Sequence, residues 1–319
     1  MKILVTGAAG FIASHVADAY VSAGHDVAII DDVSRGAKRN LNPSCRFYRC
    51  DIRDGAAIAK IFSIERPEIV NHHAAQMDVR RGVREPVFDA QVNILGSLNL
   101  IESAVAHGST RFIYAATAGA GYGEPLQVPV PEDYPINPIT PYGVSKHTVE
   151  HYLFTFEFLY GLQYVVLRYG NVYGPRQSSQ GEAGVFAIFA EQMLQGTPPV
   201  IYGDGNKVRD YVYISDVVAA NMAALERGDN ERFNISSGVE TTDLEVFERV
   251  RDLLGKKIEP QYVSRRPGEI ARICLDISKA KALLGWAPQI DFDEGSRRTV
   301  AHFQKEAAVQ QPSAVHAGP

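Results

Sequence analysis

The chain has 319 residues, roughly twice the ~150 residues of a typical domain, which predicts one large domain or two smaller ones. Hydrophobic residues make up 45% and charged residues 22% of the sequence, so a mainly disordered or fibrous protein is excluded. The formal net charge of −5 argues against general nucleic-acid binding, which needs a basic surface. The three cysteines have no histidine at a metal-ligand spacing beside them, so we expect neither a disulfide framework nor a metal site.

The first residues and the distribution of apolar runs indicate where the protein works. Met1 and Lys2 lead directly into an apolar strand, so no signal peptide is expected. No apolar run reaches the about 18 residues that a membrane-spanning helix needs. The sequence therefore predicts a cytoplasmic protein.

Short apolar runs alternate with longer amphipathic stretches over the first 170 residues. Strand patterns occupy 3–6, 27–31, 47–50, 69–73, 112–116 and 164–169, and helical patterns lie around 11–23, 54–64, 88–107 and 142–160. Strands separated by helices predict βαβ crossovers and a parallel sheet with helices on both faces. The expected fold class is α/β, with a doubly wound, Rossmann-type domain over residues 1–170.

The pattern becomes irregular beyond residue 170. Glycine and proline cluster at 174–184 and 196–205, and helices are predicted near 215–227 and 243–254. Thr242 and Glu245 have the spacing of a capping box, which would start the second of these helices. We expect a smaller, mixed α/β lobe over 171–309, with possible chain crossings between the lobes, and a frayed tail over 310–319.

A glycine-rich turn follows the first predicted strand. The segment GAAGFIA starts at Gly7 and has its second glycine at Gly10. Glycines between a strand and a helix allow a tight turn and let the backbone approach a pyrophosphate at the helix N-terminus. Asp31 ends the second strand, where a carboxylate binds an adenosine ribose and repels a 2′-phosphate. These positions predict a bound dinucleotide, with NAD favoured over NADP.

Two neighbouring segments have more than one reading. Arg35, Lys38 and Arg39 form a basic cluster that could bind a 2′-phosphate or lie in a solvated loop. Asp51 and Ile52 follow the third strand and could contact the adenine ring, or they could belong to an ordinary helix cap. Both pairs of roles stay open at this point.

A Tyr-x-x-x-Lys pattern, Tyr142 to Lys146, follows Pro141 at the start of a predicted helix. Residues i and i+4 share one helix face, so the Lys146 ammonium can lie beside the Tyr142 phenol. Lowering a phenol pKa from ~10 toward ~7 requires about 4 kcal/mol of preference for the phenolate, and a nearby cation has the right sign. Tyr142 is the expected general base for a sugar or alcohol hydroxyl. Thr117, at the end of the fifth strand, is expected to hydrogen-bond the same hydroxyl.

Five segments resemble the extended short-chain dehydrogenase/reductase family: TGAAGFIASH, PYGVSK, RYGNVYGPRQ, GDGNKVRDYVYISDV and RRPGEIARICLDISKAKALLGW. They occur in the family order, and the likeness extends over nearly the whole chain. Within the family, the chain is most similar to the UDP-glucose 4-epimerase-like sugar-nucleotide epimerases. The resemblance implies tightly bound NAD, hydride removal from C4 of a UDP-sugar, rotation of the 4-keto intermediate, and hydride return to the opposite face. It also implies a homodimer that pairs through the helices near 88–107 and 142–160.

The resemblance implies roles for individual residues. Tyr142, Lys146 and Thr117 fall on the catalytic positions. The NAD-contact positions are Gly7, Gly10, Phe11, Ile12, Asp31, Asp51, Ile52, Ala74, Ala75, Gln76 and Asn93, together with Tyr142 and Lys146. The UDP-sugar positions are Asn171, Arg209, Arg266 and Glu269, with Thr117 and Arg176 as further candidates. Arginine suits this role because its planar fork matches phosphate oxygens.

The chain departs from the family pattern at three places. Ala13 occupies the third glycine position, Gly121 replaces a usual valine, and His73 follows His72 where an aliphatic residue is usual. We expect a structural role for both histidines. These departures affect the expected substrate more than the expected reaction.

Competing functions are separated by the residues after Thr117. Ala118 and Gly119 stand there, whereas dehydratases of the family have an acidic pair and decarboxylases have a nearby glutamate, so simple epimerisation is favoured. UDP-glucuronate and UDP-N-acetylhexosamines remain possible substrates beside UDP-glucose and UDP-galactose. A non-catalytic dinucleotide sensor is the alternative of a different class, and the retained Tyr142–Lys146 pair disfavours it.

Overall fold

The computed structural model describes residues 1–179, 184–265 and 270–310. Seven strands form its main sheet: β1 (Lys2–Thr6), β2 (Asp26–Asp31), β3 (Arg46–Arg49), β4 (Ile69–His72), β5 (Arg111–Thr117), β6 (Gln163–Tyr169) and β10 (Glu231–Ile235). They pair in the order β3-β2-β1-β4-β5-β6-β10, and every neighbouring pair is parallel. This is the strand order of a dinucleotide-binding sheet with one additional strand.

Helices cover both faces of this sheet, which is why its strands read as continuous apolar runs. One face carries α1 (Phe11–Ser22) and α9 (Ile214–Ala223), and the other carries α2 (Gly55–Glu65), α5 (Gly96–Ala106) and α7 (Pro141–Tyr160). Val16 of α1 and Leu100 of α5 are fully buried on opposite faces. The predicted doubly wound α/β fold is confirmed.

The helix predicted over 88–107 consists of three consecutive segments. These are α4 (Pro86–Ala90), a π-helical turn (Gln91–Leu95) and α5. Two further short helices, α3 (Val79–Arg84) after β4 and α6 (Gly119–Tyr122) after β5, are absent from the sequence prediction. Six and four residues are too few to show a helical period. A 3₁₀ turn also occurs at Lys38–Asn40.

The chain beyond residue 170 forms smaller sheets. Strands β7 (Asn171–Tyr173), β9 (Val208–Tyr213) and β11 (Glu240–Thr242) pair in the order β11-β9-β7, and β8 (Val200–Tyr202) pairs with β12 (Gln261–Val263). Helices α8 (Val185–Leu194), α10 (Asp243–Leu254) and α11 (Phe292–Gln310) pack together there, and a π-helical turn covers Ala280–Leu284. Because α9 and β10 return to the main sheet, the chain crosses between the lobes, and the boundary at 170/171 stays a prediction.

Helix α10 begins where its capping box predicts. Thr242 Oγ1 accepts a hydrogen bond from Glu245 N at 3.1 Å, and Thr242 N donates to Glu245 Oε2 at 2.6 Å. The helix ends before Gly255, whose φ of 61° is left-handed. The predicted helix over 243–254 is confirmed.

Neither a membrane span nor a metal cluster is found among the described residues. None of the described helices is long and apolar enough to cross a membrane. Within the same described ranges, no three histidine, cysteine, aspartate or glutamate side chains come together as a metal site.

Candidate active site

The carboxyl ends of the parallel strands bring most predicted site residues to one edge of the sheet. β1 ends at Thr6 before Gly7, β2 ends at Asp31, and β5 ends at Thr117. Helix α7, which follows β5 and precedes the parallel strand β6, starts at the same edge and carries Tyr142 in its first turn. Ligands bind along this edge in open α/β sheets.

The glycine-rich turn leaves no room for a side chain at either of its glycines, Gly7 and Gly10. Gly7 has φ of 77°, and a Cβ there would lie 2.8 Å from Ala74 N. A Cβ at Gly10 would lie 3.0 Å from Gly7 O, and Gly10 caps α1 without a side-chain hydrogen bond to the helix. The first N–H groups of α1 are therefore available to an anion, as a pyrophosphate site requires. Phe11 and Ile12 form the first turn of this helix and are half-buried.

Asp31 ties the end of β2 to the glycine-rich turn. Its Oδ2 accepts a hydrogen bond from Ala9 N at 2.9 Å, and its Oδ1 accepts one from Val33 N at 2.7 Å. Burial raises the pKa of this carboxyl, and the two N–H donors lower it. Each oxygen keeps a further lone pair, so Asp31 can still accept a hydrogen bond from a ribose hydroxyl.

The basic cluster beyond β2 is engaged with acidic side chains. Arg35 Nη2 lies 3.2 Å from Asp78 Oδ2, and Arg39 Nη2 lies 3.4 Å from Glu306 Oε1. Both arginines are exposed. These contacts favour the solvated-loop role over binding of a 2′-phosphate.

Asp51 and Ile52 occupy different environments. Both carboxylate oxygens of Asp51 accept hydrogen bonds from the Arg53 guanidinium, which lowers the pKa of Asp51. Ile52 is buried against α5, where a Cβ at Gly96 would lie 2.7 Å from its Cδ1. The adenine contacts of both residues stay predictions.

A loop of residues 74–76 lies between the glycine-rich turn and the π-helical turn. Asn93, which is buried, fixes this loop at both backbone atoms of Gln76: Gln76 N donates to Asn93 Oδ1 at 2.8 Å, and Asn93 Nδ2 donates to Gln76 O at 2.9 Å. Ala74 N donates to Thr6 Oγ1 at 3.1 Å. The structure thus brings Ala74 against Gly7 and Gln76 against Asn93, and the NAD contacts of Ala74, Ala75, Gln76 and Asn93 stay predictions.

Tyr142, Lys146 and Thr117 carry the chemistry expected of the site. Thr140 caps α7 by accepting a hydrogen bond from Gly143 N at 3.2 Å, which sets the helix start beside Tyr142. Lys146 is buried, with its Nζ 4.3 Å from the centre of the Tyr114 ring. Within the part of the chain that the structure describes, the Tyr142 hydroxyl, the Thr117 hydroxyl and the Lys146 ammonium form no hydrogen bond with protein.

Burial shifts both reactive groups away from their charged forms. The pKa of Tyr142 rises to about 12, mainly through burial and also through the charge of Asp89. Burial lowers the pKa of Lys146 to about 7, although Glu150 and Asp89 oppose the shift. A phenolate at neutral pH therefore needs positive charge from outside the protein as well as from Lys146.

A narrow cavity lies beside the end of β6. It is lined by Gly119, Gly170, Asn171, Asp210, Ile273 and Leu275. The buried Asp210 carboxylate accepts hydrogen bonds from Ser237 N at 2.9 Å and from Leu275 N at 3.0 Å. It therefore joins the Ser237 loop to Leu275, which lines the cavity, and Arg209 precedes it in β9.

The predicted UDP-sugar residues are not all brought together. Asn171 lines the cavity, and Arg209 Nη1 donates to Val208 O at 2.8 Å. Arg176 Nη1 lies 2.8 Å from Asp18 Oδ2 on α1, so the structure places this guanidinium against α1 and not among the residues lining the cavity. Arg266 and Glu269 lie outside the described residues. The substrate contacts of these five residues stay predictions.

His72 and His73 belong to the hydrogen-bond network around β4. His72 Nδ1 lies 2.7 Å from Thr6 Oγ1, and His72 Nε2 lies 2.9 Å from Ser97 Oγ. The His73 ring stacks on Tyr169, with its Nε2 3.1 Å from the Tyr169 hydroxyl. Burial lowers the pKa of both imidazoles, to about 3 for His73. Both are neutral near pH 7, which favours a structural role over acid–base chemistry.

The sequence analysis missed Asp89 and Ser145, which connect the loop of residues 74–76 to α7 by hydrogen bonds. The spacing of Asp89, Asn93 and Ser97 contained a signal for the first of them. Polar residues that recur every four positions share one helix face. All three are buried, so this polar stripe faces the protein interior.

Comparison with known proteins agrees with this geometry. The model of the NAD dependent epimerase/dehydratase family matches residues 3–236. A putative UDP-glucose 4-epimerase of Methanocaldococcus jannaschii is 46% identical over 298 residues, which are 93% of this chain and 97% of that protein. The structure of UDP-glucose 4-epimerase from Thermotoga maritima with UDP-glucose has a TM-score of 0.95 at 49% identity and covers 96% of this chain and 99% of that one. The complex of Thermus thermophilus UDP-glucose 4-epimerase with NAD has a TM-score of 0.91 at 42% identity, and the match covers 95% of this chain and 99% of that one.

The site and the fold define a dinucleotide-dependent sugar-modifying enzyme of the Rossmann class. The chain belongs to the NAD-dependent epimerase/dehydratase family. The predicted resemblance, the predicted isomerase class and the predicted NAD cofactor are thereby confirmed.

Proposed function

We propose that this chain catalyses NAD-dependent C4 epimerisation of a UDP-sugar of the UDP-glucose/UDP-galactose type. The observation that carries the proposal is the set of three reactive groups, those of Thr117, Tyr142 and Lys146. They have no hydrogen-bond partner among the described residues and belong to the sheet edge that carries the glycine-rich turn. The absence of a carboxylate directly after Thr117 argues against elimination of water. Relatives named UDP-glucose 4-epimerases support the same reaction.

The residues at the sheet edge fit a bound NAD. Gly7, Gly10 and the uncapped start of α1 would hold the pyrophosphate, and Asp31 would accept hydrogen bonds from the adenosine ribose. The loop of residues 74–76 would lie against the dinucleotide because it adjoins Gly7. When bound, NAD would supply the hydride acceptor for C4 and the positive charge of its nicotinamide ring.

Tyr142 would take the proton from the C4 hydroxyl and return it when the sugar presents its other face. Lys146 would stabilise the phenolate by its charge and donate hydrogen bonds to the cofactor ribose. Thr117 would orient the same C4 hydroxyl by a hydrogen bond, since its own hydroxyl has no partner among the described residues. Bound NAD and substrate would cover the half-buried Tyr142 and Thr117 and exclude water, which would protect the 4-keto sugar between the two halves of the reaction.

The UDP part of the substrate would lie against the C-terminal lobe. Asn171 lines the cavity beside β6. Arg209 lies in β9, which pairs with β7, the strand that begins at Asn171. Both residues are therefore candidates for binding the nucleotide diphosphate. Arg266, Glu269 and Arg176 remain further candidates from the family pattern.

The proposal is tested by incubating the purified protein with UDP-glucose, UDP-N-acetylglucosamine and UDP-glucuronate in separate reactions and resolving the C4 epimers. No NAD is added, because the reduced cofactor is reoxidised within one turnover. UDP-galactose should form fastest. Faster conversion of another sugar would reassign the substrate, whereas a protein that holds NAD but converts none of the three would be a dinucleotide sensor.

We further propose a homodimer in the cytoplasm. Apolar side chains on the outer face of α7 are exposed, with Phe154 at 55%, Phe158 at 79% and Leu159 at 57%. Leu95, at the start of α5, is also exposed at 55%. Such a face needs a partner in water. Sedimentation at micromolar concentration should give twice the monomer mass, and Phe158→Glu should shift it toward monomer. The three free cysteines support a reducing compartment.

A further inference from the structure

Asp89 of α4 joins the two halves of the site through hydrogen bonds. Its side chain is fully buried, and its Oδ1 accepts a hydrogen bond from Ser145 Oγ at 2.6 Å. Its Oδ2 accepts one from Gln76 Nε2 at 3.0 Å. Ser145 precedes Lys146 on α7, and Gln76 belongs to the loop beside Gly7. One carboxylate therefore connects the catalytic helix to the predicted cofactor loop.

The surroundings of Asp89 enclose its carboxylate. A Cβ at Gly82 of α3 would lie 2.9 Å from Asp89 Oδ2, so the backbone of α3 passes directly over it. The two side chains that donate hydrogen bonds to the Asp89 carboxylate, those of Ser145 and Gln76, are both neutral. An anion buried without a paired cation is costly, and a purely structural link could use a neutral amide instead. We therefore expect the charge of the Asp89 carboxylate to have a function of its own.

The charge of Asp89 acts on three titratable groups, Tyr142 and Lys146 of α7 and Tyr114 of β5. The Asp89 charge raises the pKa of all three, although burial is the larger cause of each shift. For Lys146 this means that Asp89 favours the ammonium form against burial. Glu150 acts on Lys146 in the same direction, but Arg168 already pairs with Glu150 at 2.6 Å.

We propose that Asp89 is a positioning residue of the proposed epimerase: its hydrogen bonds to Ser145 and Gln76 hold the Tyr142–Lys146 helix against the loop of residues 74–76 and place a buried charge next to Lys146. Ser145, which donates the hydrogen bond, lies between Tyr142 and Lys146 in the sequence. One contact therefore fixes the helix and also brings the Asp89 charge close to the two catalytic residues. The inference rests on the proposed function.

The test compares Asp89→Asn, which removes the charge and keeps the shape, with Ser145→Ala, which removes the hydrogen bond and keeps the charge. Three quantities are measured for each: NAD content per chain, thermal midpoint, and the pH profile of kcat with UDP-glucose. Removing the Asp89 charge lowers the pKa of both Tyr142 and Lys146. Both limbs of the Asp89→Asn profile should therefore move to lower pH, by about 0.5–1 unit.

Ser145→Ala should leave the limbs in place and lower kcat by about 10- to 100-fold through misplacement of the helix. Unchanged limbs in Asp89→Asn, or equal shifts in both variants, would overturn the electrostatic role. If Asp89→Asn fails to fold, Ser145→Ala alone decides, because unchanged kcat and NAD content there would overturn the positioning role.

Failure of the proposed function is distinguishable from failure of this inference. If the wild-type protein converts no UDP-sugar, the proposed function fails, and the NAD content of the two variants still tests whether Asp89 holds the cofactor loop. Wild-type NAD content in both variants would then overturn the link between Asp89 and that loop.

Discussion

Replacing Gly7 by alanine should remove NAD from the protein while leaving it folded. A φ of 77° costs a residue with a Cβ about 1–2 kcal/mol. The new Cβ would lie 2.8 Å from Ala74 N and 3.0 Å from Ala74 Cα, and displacement of packed backbone costs about 1–3 kcal/mol more. The loss of about 2–5 kcal/mol corresponds to a Tm about 3–8 °C lower for a chain of this length.

Gly24→Ala provides the matched control. Gly24 has φ of 82°, but a Cβ there meets no atom within 4 Å. Its cost should be the backbone strain alone, with a Tm about 1–3 °C lower. Gly24 lies between α1 and β2, at the opposite edge of the sheet from Gly7.

The assay is the amount of dinucleotide released per chain when each purified variant is denatured. Gly7→Ala should retain at least about tenfold less NAD than the wild type, since a displacement costing about 1.4 kcal/mol in binding already has that effect. Gly24→Ala should retain the wild-type amount. Full NAD content in Gly7→Ala, or an equal loss in both variants, would refute the assignment of the glycine-rich turn to the cofactor.

Three further substitutions test individual parts of the account. Tyr142→Phe should lower kcat by about 10²–10⁴ with NAD content and Tm unchanged, and near-full activity would exclude Tyr142 as the base. With NAD removed from both proteins, Lys146→Met should be more stable than the wild type at pH 7, by about 2–4 kcal/mol in urea unfolding. The reason is that Lys146 has a pKa of about 7 when folded and 10.5 when unfolded. Between pH 7 and pH 10.5 the unfolded state thus binds more protons than the folded state, so the free energy of unfolding of the wild type should rise with pH in this range. The variant should lack this rise, and an equal rise in the variant would contradict the role of Lys146. Arg168→Met should cost about 3–5 kcal/mol in the same assay, because it leaves the buried Glu150 carboxylate without its guanidinium partner. Adding Glu150→Gln should recover part of that loss.

The main sheet and its glycine-rich turn could be predicted because the signals are local. Several strands of the main sheet, β1 and β2 among them, contain continuous apolar runs, and Gly7 lies directly between a strand and a helix. The helix start at Asp243 was likewise encoded within four residues by Thr242 and Glu245. Such features depend on sequence neighbours and need no knowledge of tertiary contacts.

The remaining features depend on residues that meet only in the folded chain. Arg176 looks like a phosphate ligand in the sequence, but it lies against Asp18, which is 158 positions away. The sequence pattern does not distinguish Asp89 from a surface residue of an amphipathic helix. In the folded chain it accepts hydrogen bonds from Ser145 and Gln76, which are distant in the sequence. The π-helical turn that places Asn93 could not be predicted either, because its extra backbone residue leaves no trace in the hydrophobic pattern.

The most direct test of the central claim follows deuterium at C4. UDP-glucose deuterated at C4 is incubated with the purified protein in ordinary water without added cofactor, and UDP-galactose is isolated for NMR and mass analysis. If the protein epimerises by removing the C4 hydrogen and returning it to the opposite face, the product should keep its deuterium at C4. Loss of the deuterium to water, or the absence of any UDP-galactose from a protein that holds NAD, would contradict the account.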